Sequence, residues 1–160
     1  MIARLPSPAE TETQTLNVSW TAKDKNDTSP QVYINGKEYS SWQTSAALTL
    51  EQGENHLEFK TVNSSGKQTV IAKTVYFNPP ASKLTPGYVP TTTSASTITL
   101  TWTVSDKNDT SPSVYINDEL QSSWQSSKSI SLTKGANQIT FLATNKYGKQ
   151  TTVTDVVCKN

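Results

Sequence analysis

Polar and apolar residues alternate along most of this chain with a period of two. Leu16, Val18 and Trp20 are interleaved with Asn17, Ser19 and Thr21, and Ile98, Leu100 and Trp102 with Thr99, Thr101 and Thr103. Alternation of this kind marks strands with one face buried and one wet. Val32 and Ile34 start another strand, and Asn35-Gly36 supplies a two-residue hairpin turn. Asn117-Asp118 is the weaker counterpart of that turn. Leu48, Leu50, Gly53, Asn55, Leu57 and Phe59 then read as strand, tight turn, strand, as do Ile130, Leu132, Gly135, Asn137, Ile139 and Phe141. The glycine supplies a positive φ, and the asparagine side chain bonds the local backbone. No stretch sustains a helical period. Six or seven short strands per repeat are predicted, with turns about every 8–12 residues, which is the pattern of an antiparallel sandwich.

The alternation occurs twice. Residues 16–75 align without a gap on 98–157, and Trp20, Trp42, Gly53, Phe59 and Gly66 fall on Trp102, Trp124, Gly135, Phe141 and Gly148. The segment DKNDTSP, residues 24–30, returns unchanged at 106–112. The expected fold is all-β: two tandem immunoglobulin-like antiparallel β-sandwich domains, repeat one over 1–78 and repeat two over 79–160. The join NPPASKLTPGYVP carries Pro79, Pro80, Pro86 and Pro90, which disfavour helix and stiffen the backbone. Pro8 aligns with Pro90, so part of the join belongs to the first strand of repeat two, leaving a linker of about residues 77–82.

Composition narrows the possible partners. The chain has 160 residues, 33% hydrophobic and 17% charged, with a net charge of +1. Near-neutral charge excludes the basic footprint of nucleic-acid binding and the polybasic patch that reads anionic lipid. No apolar run is long enough for a transmembrane helix, so no membrane insertion is expected. Cys158 is the only cysteine, which rules out an intrachain disulfide. No signal peptide opens the sequence, so an extracellular protein of this kind is expected to be an excerpt of a longer chain.

The pattern LxxGxNxLxFxxxNxxG, read from Leu50 to Gly66 and preceded by the VYING of residues 32–36, resembles the bacterial Ig-like modules of secreted carbohydrate-active enzymes and surface proteins. The glucodextranase B domain and the accessory modules of pullulanases are of that type. The resemblance implies a sandwich fold, an extracellular or cell-surface location, and a spacer, accessory or adhesive role; the expected partners are other domains of the same polypeptide, and the chain is expected to be a monomer. It covers most of each repeat and departs from antibody domains in lacking their paired cysteines.

The repeat also acts as an internal control on chemistry. A reaction performed by the module would keep its reactive groups in both copies. Instead His56 is replaced by Gln138, Glu54 by Ala136 and Glu58 by Thr140. Only Asp24/Asp106 and Asp27/Asp109 persist as acids across the aligned span. With one histidine and one cysteine there is no triad, so no catalytic residue is assigned. Asp24, Asn26 and Asp27, and Asp106, Asn108 and Asp109, offer the oxygen donors that calcium takes, and they resemble the DxNDN linker motif of cadherins. Here, however, the motif lies inside the repeat, and the shell is short of ligands. An Asx-type structural turn is the expected role, and calcium the alternative.

Trp20 and Trp102 follow inward parity and are expected in the core. Trp42 and Trp124 sit in SSWQ segments. Packing against one end of the sandwich is the expected role. The alternative is a glycan or cell-wall polymer stacking on Trp42 and Trp124, with Gln43 and Gln125 as hydrogen-bonding neighbours.

Overall fold

The computed structural model describes residues 2–4 as backbone and residues 9–160 in full. The chain is all-β and divides into two compact units, Met1–Pro79 and Pro80–Asn160. The first unit contains β1 (Ile2–Arg4), β2 (Glu10–Thr11), β3 (Thr15–Thr21), β4 (Gln31–Ile34), β5 (Lys37–Tyr39), β6 (Ser45–Thr49), β7 (Gly53–Val62) and β8 (Gln68–Phe77). The second contains β9 (Lys83–Pro86), β10 (Thr92–Thr93), β11 (Thr97–Ser105), β12 (Ser113–Ile116), β13 (Glu119–Leu120), β14 (Ser127–Ser131), β15 (Gly135–Thr144) and β16 (Gln150–Lys159).

Each unit is an immunoglobulin-like sandwich of a three-stranded and a five-stranded sheet. The orders are β1-β3-β6 and β2-β8-β7-β4-β5 in the first, β9-β11-β14 and β10-β16-β15-β12-β13 in the second. Two details depart from the sequence expectation. The described residues give eight strands per unit because edge strands of two or three residues are too short to show a period. One pair per unit is parallel, β2 on β8 and β10 on β16, within otherwise antiparallel pairing. The parallel pairs arise because the chain opens on the small sheet and then crosses to the large one. In the second unit Pro86 ends β9 and Pro90 lies in the crossing. Gly87 within it donates its N–H to the Thr101 carbonyl at 2.8 Å, and a Cβ at Gly87 would overlap the Thr101 hydroxyl. Pro8 lies outside the described residues.

Alternation places the core. On β3 Leu16, Val18 and Trp20 are buried while Thr15, Asn17, Ser19 and Thr21 are exposed. On β7 Leu57 and Phe59 point inward, and on β15 Ile139, Phe141 and Ala143 do the same. Trp102, Leu100, Ile116, Val157 and Phe141 belong to one cluster in the second unit. In the first, the Trp20 ring meets Tyr39 edge-on, with centroids 5.3 Å apart. Tyr33 stands on the outer face, where the Lys60 ammonium lies 4.8 Å from its ring centroid.

The turns follow the residues that encode them. Asn35 and Gly36 take φ of 50° and 77°, and Asn117 and Asp118 take 48° and 65°. Positive φ at both central positions is what a tight hairpin turn needs, and Asp118 adopts it without a glycine. Gly53 and Gly135 take φ of 94° and 95° at the next turn. There Asn55 Oδ1 accepts from Glu51 N at 2.9 Å, and its Nδ2 donates to the Glu51 carbonyl at 2.8 Å. Asn137 makes the same pair of bonds with Thr133.

Trp102 is 3% exposed, so truncating it empties a large volume inside a small core. Trp102→Ala is expected to cost ~3–5 kcal/mol, read as a lower unfolding midpoint of the second unit in chemical denaturation. A loss below about 1 kcal/mol would contradict the packing described here.

Candidate functional site

The acidic segment shared by the repeats links β3 to β4 and β11 to β12, beside the turn that joins the last two strands. Its carboxylates are occupied. Asp24 Oδ1 accepts from Asn26 N at 2.8 Å, and Oδ2 accepts from Asn63 Nδ2 at 3.0 Å. Asp27 Oδ1 accepts from Ser29 N at 2.9 Å, and Oδ2 from Ser64 N at 2.8 Å. Each aspartate therefore folds its own loop with one oxygen and stitches it to the neighbouring turn with the other. Asn63 completes the clasp, its Oδ1 accepting from Ser65 N at 3.1 Å and Lys67 N at 2.9 Å.

The second unit repeats the clasp and buries it further. Asp106 Oδ1 accepts from Asn108 N at 2.8 Å and Asp109 N at 3.0 Å. Its Oδ2 accepts from Asn145 Nδ2 and from Ser82 Oγ, both at 2.9 Å. Asp109 reaches Ser111 N at 3.0 Å and Lys146 N at 2.7 Å. Asn145 also donates to the Pro80 carbonyl at 2.9 Å. Thr151 Oγ1 donates to the Ser82 carbonyl at 2.6 Å. Ser82 and Asn145 are 1% and 4% exposed. The segment entering this unit is thus held by Asp106 and Asn145 of the clasp and by Thr151.

This geometry is that of an Asx-type turn. All eight carboxylate oxygens of the two loops accept N–H or O–H donors. Among the described residues no group of three or more His, Cys, Asp or Glu side chains stands together. Asn26 and Asn108 enter the clasps through their backbone N–H groups. The residues that sequence reasoning missed are Asn63 and Asn145. Their signal was present in the repeated Asn-x-x-Gly, Asn63 to Gly66 and Asn145 to Gly148.

The clasps shift the acids that make them. Hydrogen bonds from the Asn63 side chain and the Asn26 N–H hold Asp24 below the usual carboxylate value. Burial pushes Asp106 up, but donors from Asn145, Asn108, Ser82 and Asp109 outweigh it and leave it lowered.

The tryptophans of the SSWQ segments are placed otherwise than expected. Trp42 and Trp124 are 79% and 82% exposed, so neither ring closes an end of the sandwich. The cause is a local turn. Gln43 N donates to the Ser40 carbonyl at 2.9 Å, and Ser40 N donates back to Gln43 Oε1 at 2.9 Å. Ser122 and Gln125 make the same reciprocal pair, with both bonds at 2.9 Å. Tryptophan occupies the third turn position and projects from the loop. Gln43 and Gln125 therefore spend their amide oxygens on shaping the turn. The next residue is anchored to the core strand, through Trp20 N to the Thr44 carbonyl at 2.9 Å and Trp102 N to the Ser126 carbonyl at 3.0 Å.

A further titratable cluster stands in the first unit. His56 Nε2 lies 3.3 Å from Glu54 Oε1, and both side chains are well exposed. The Glu54 charge, and a hydrogen bond to it, raise the Tyr76 hydroxyl above its usual value. Glu10 and Tyr76 border an open groove with Gln52, Gly53, Phe77 and Asn78. Ala136, Gln138 and Cys158 occupy the corresponding positions of the second unit.

No protein-family model and no curated protein matches the chain. Solved structures align with the chain at low identity and with TM-scores below 0.5. Fibronectin(III)-like modules of Clostridium thermocellum CbhA align at 16% identity over 99% of this chain and 94% of theirs, with a TM-score of 0.43. The Bacteroides ovatus mixed-linkage glucan utilization locus SGBP-B, solved with a mixed-linkage heptasaccharide, aligns at 14% identity over 98% of this chain and 47% of its own, with a TM-score of 0.35. The Yersinia pseudotuberculosis adhesin InvE aligns at 16% over 97% of this chain and 58% of its own, with a TM-score of 0.34.

Two outcomes test the clasps. The lowered acids hold their protons less tightly in the folded protein than in the unfolded chain. Their contribution is complete above the ordinary carboxylate value and is lost as pH falls through it toward the lower folded values. The unfolding midpoint is expected to drop below about pH 4, and Asp106→Asn is expected to flatten that drop while lowering the midpoint at neutral pH. Asn145→Ala is expected to cost ~1–3 kcal/mol because it strands buried partners, and Asn63→Ala less because its partners stay wet. Equal losses in denaturant unfolding would overturn that difference.

Proposed function

We propose that the chain is a non-catalytic, extracellular tandem module that spaces or presents other domains of a larger polypeptide. One observation carries this reading. The only acids that both repeats keep are spent on stitching loops, so the repeated element is a scaffold and holds no reagent. Catalysis needs a positioned, accessible acid, base or nucleophile. Here every shared carboxylate oxygen already accepts a hydrogen bond. Outside the clasps, His56, Cys158 and every other Asp and Glu of the aligned repeats, Glu54 among them, occur in one copy each. Resemblance to bacterial Ig-like modules supports the extracellular placement. Antiparallel ladders of ten residues, β7 on β8 and β15 on β16, give each unit its longest continuous pairing.

A spacer of this kind unfolds one unit at a time. Stretching a polyprotein that contains the chain is expected to show two separate force peaks. Each should release about 25 nm, the extended length of some 80 residues less the folded span. A single peak of twice that length would refute two mechanical units.

A second reading rests on the two displayed rings. Trp42 and Trp124 project from turns that the same glutamine pair holds in both repeats. A flat exposed indole beside hydroxyl and amide groups is the chemistry that stacks on a sugar ring. The polymer class is a neutral glycan or cell-wall polysaccharide, which suits a chain of net charge +1. Titration with soluble neutral polysaccharides and with peptidoglycan fragments is expected to shift tryptophan emission. Trp42→Ala with Trp124→Ala should abolish the shift and leave the melting temperature unchanged. No shift at saturating polymer would remove this reading and leave the spacer.

A further inference from the structure

The second unit grips the segment that leads into it, and the groups that do so are all repeated in the first. Residues 80–82 lie against the clasp through three hydrogen bonds. Asn145 Nδ2 donates to the Pro80 carbonyl at 2.9 Å, Ser82 Oγ donates to Asp106 Oδ2 at 2.9 Å, and Thr151 Oγ1 donates to the Ser82 carbonyl at 2.6 Å. A shift of 82 positions turns these three receptors into Asn63, Asp24 and Thr69. In the first unit those residues border a polar cleft of about 240 Å³, together with Pro30, Thr61 and Gln68.

Each receptor is more exposed in the first unit than its counterpart in the second. Asp24 is exposed and Asp106 half-buried, Asn63 half-buried and Asn145 buried, Thr69 exposed and Thr151 half-buried. Among the described residues Asn63 Nδ2 donates to Asp24 alone, whereas Asn145 Nδ2 serves both Asp106 and Pro80. Asp24 Oδ2 likewise accepts one donor where Asp106 Oδ2 accepts two. The cleft therefore has the second unit's binding groups in place, with bonding capacity to spare. Strand register identifies the matching segment. Thr85, three residues after Ser82, pairs with Thr103, and Ile2 pairs with Thr21, the counterpart of Thr103. The position equivalent to Ser82 is thus two residues ahead of Met1. Residues 80–82 of another copy are already held within their own second unit, which leaves a segment joined ahead of Met1 as the occupant.

We propose that the cleft bordered by Asp24, Asn63 and Thr69 is a docking site for the connecting segment of a preceding module. The segment it fits presents a backbone carbonyl and, two residues later, a serine or threonine. Asn63 takes the first carbonyl, Asp24 the hydroxyl and Thr69 the second carbonyl. The bond to the ionised carboxylate is the strongest of the three, so the hydroxyl sets the selectivity. A proline at the first position offers its carbonyl and has little chain entropy to lose. The docking presupposes the spacer reading, in which other modules flank this one.

Extending the whole chain ahead of Met1 by Asn-Pro-Pro-Ala-Ser-Lys, the sequence of residues 78–83, puts a serine at the required position. The Asn63 side-chain amide and the Thr69 amide are expected to shift in NMR spectra, and native-state hydrogen exchange from β7 and β8 to slow roughly 10-fold. The same extension with alanine in place of serine, or Thr69→Ala in the extended chain, is expected to lose most of that gain. Ser82→Ala in the unextended chain gives the reciprocal result, faster exchange from β15 and β16. Unchanged shifts and exchange in the serine-extended chain would overturn the proposal. Equal slowing by the alanine extension would do the same, as would unchanged exchange in Ser82→Ala. Occupation of the cleft by the free hexapeptide at ~1 mM, with the tethered copy left outside it, would overturn the joined source. Failure of docking leaves the two stretching peaks in place, whereas failure of the spacer reading shows as their merger into one.

Discussion

Burial of alternate side chains between two facing sheets is the interaction on which everything else in this protein rests. Each unit has only about 80 residues with which to exclude water, and no disulfide or described metal cluster helps it. Large side chains must therefore fill the interior closely. Phe59 and Phe141 are fully buried at equivalent positions of the two units, and Trp20 and Trp102 nearly so. These positions are kept across the repeat because a cavity inside so small a core removes a large share of the stability. Only once this interior is set can loops at the sandwich ends be held in one shape.

The loops use carboxylates for that purpose. An aspartate that accepts two or three N–H groups is fully employed, and its ionised form is favoured by those donors. The second unit goes further. There Asp106, Ser82 and Asn145 join the entering segment, the acidic loop and the last turn into one network. In the first unit Asp24 is exposed and Asn63 half-buried, whereas Asn145 is buried. The more buried clasp sits where the chain enters its unit from the proline-rich join.

The duplication separates what the fold requires from what each copy is free to change. Most inward positions, the turn glycines other than Gly36, and the clasp aspartates and asparagines agree between copies. Many outward positions on the large sheet do not, and the drift from Glu38, Glu54, Glu58 and Lys60 to uncharged residues lies away from the core. The exposed tryptophans are a third case. They are outward and yet kept, together with the glutamine that shapes their turn. Retention at a position with no core role is the feature that connects the structure to a binding reading.

Much of the architecture was legible in the amino-acid order. Period-two alternation located the inner strands, and the positive-φ turns were marked by Asn35-Gly36, Gly53 and Gly135. The paired halves showed that one sandwich was written twice, because hydrophobic periodicity and turn chemistry are local and act over a few residues. Other features depended on contacts between distant residues. The parallel β2–β8 and β10–β16 pairs involve two residues a side, too few to leave a period. The role of Asp24 and Asp106 required knowing that Asn63 and Asn145, 39 positions away, come to lie beside them. The exposure of Trp42 and Trp124 was decided by a turn that closes on itself and faces water. An indole ring carries the same local signal whether it is covered or displayed, and only the folded chain determines which.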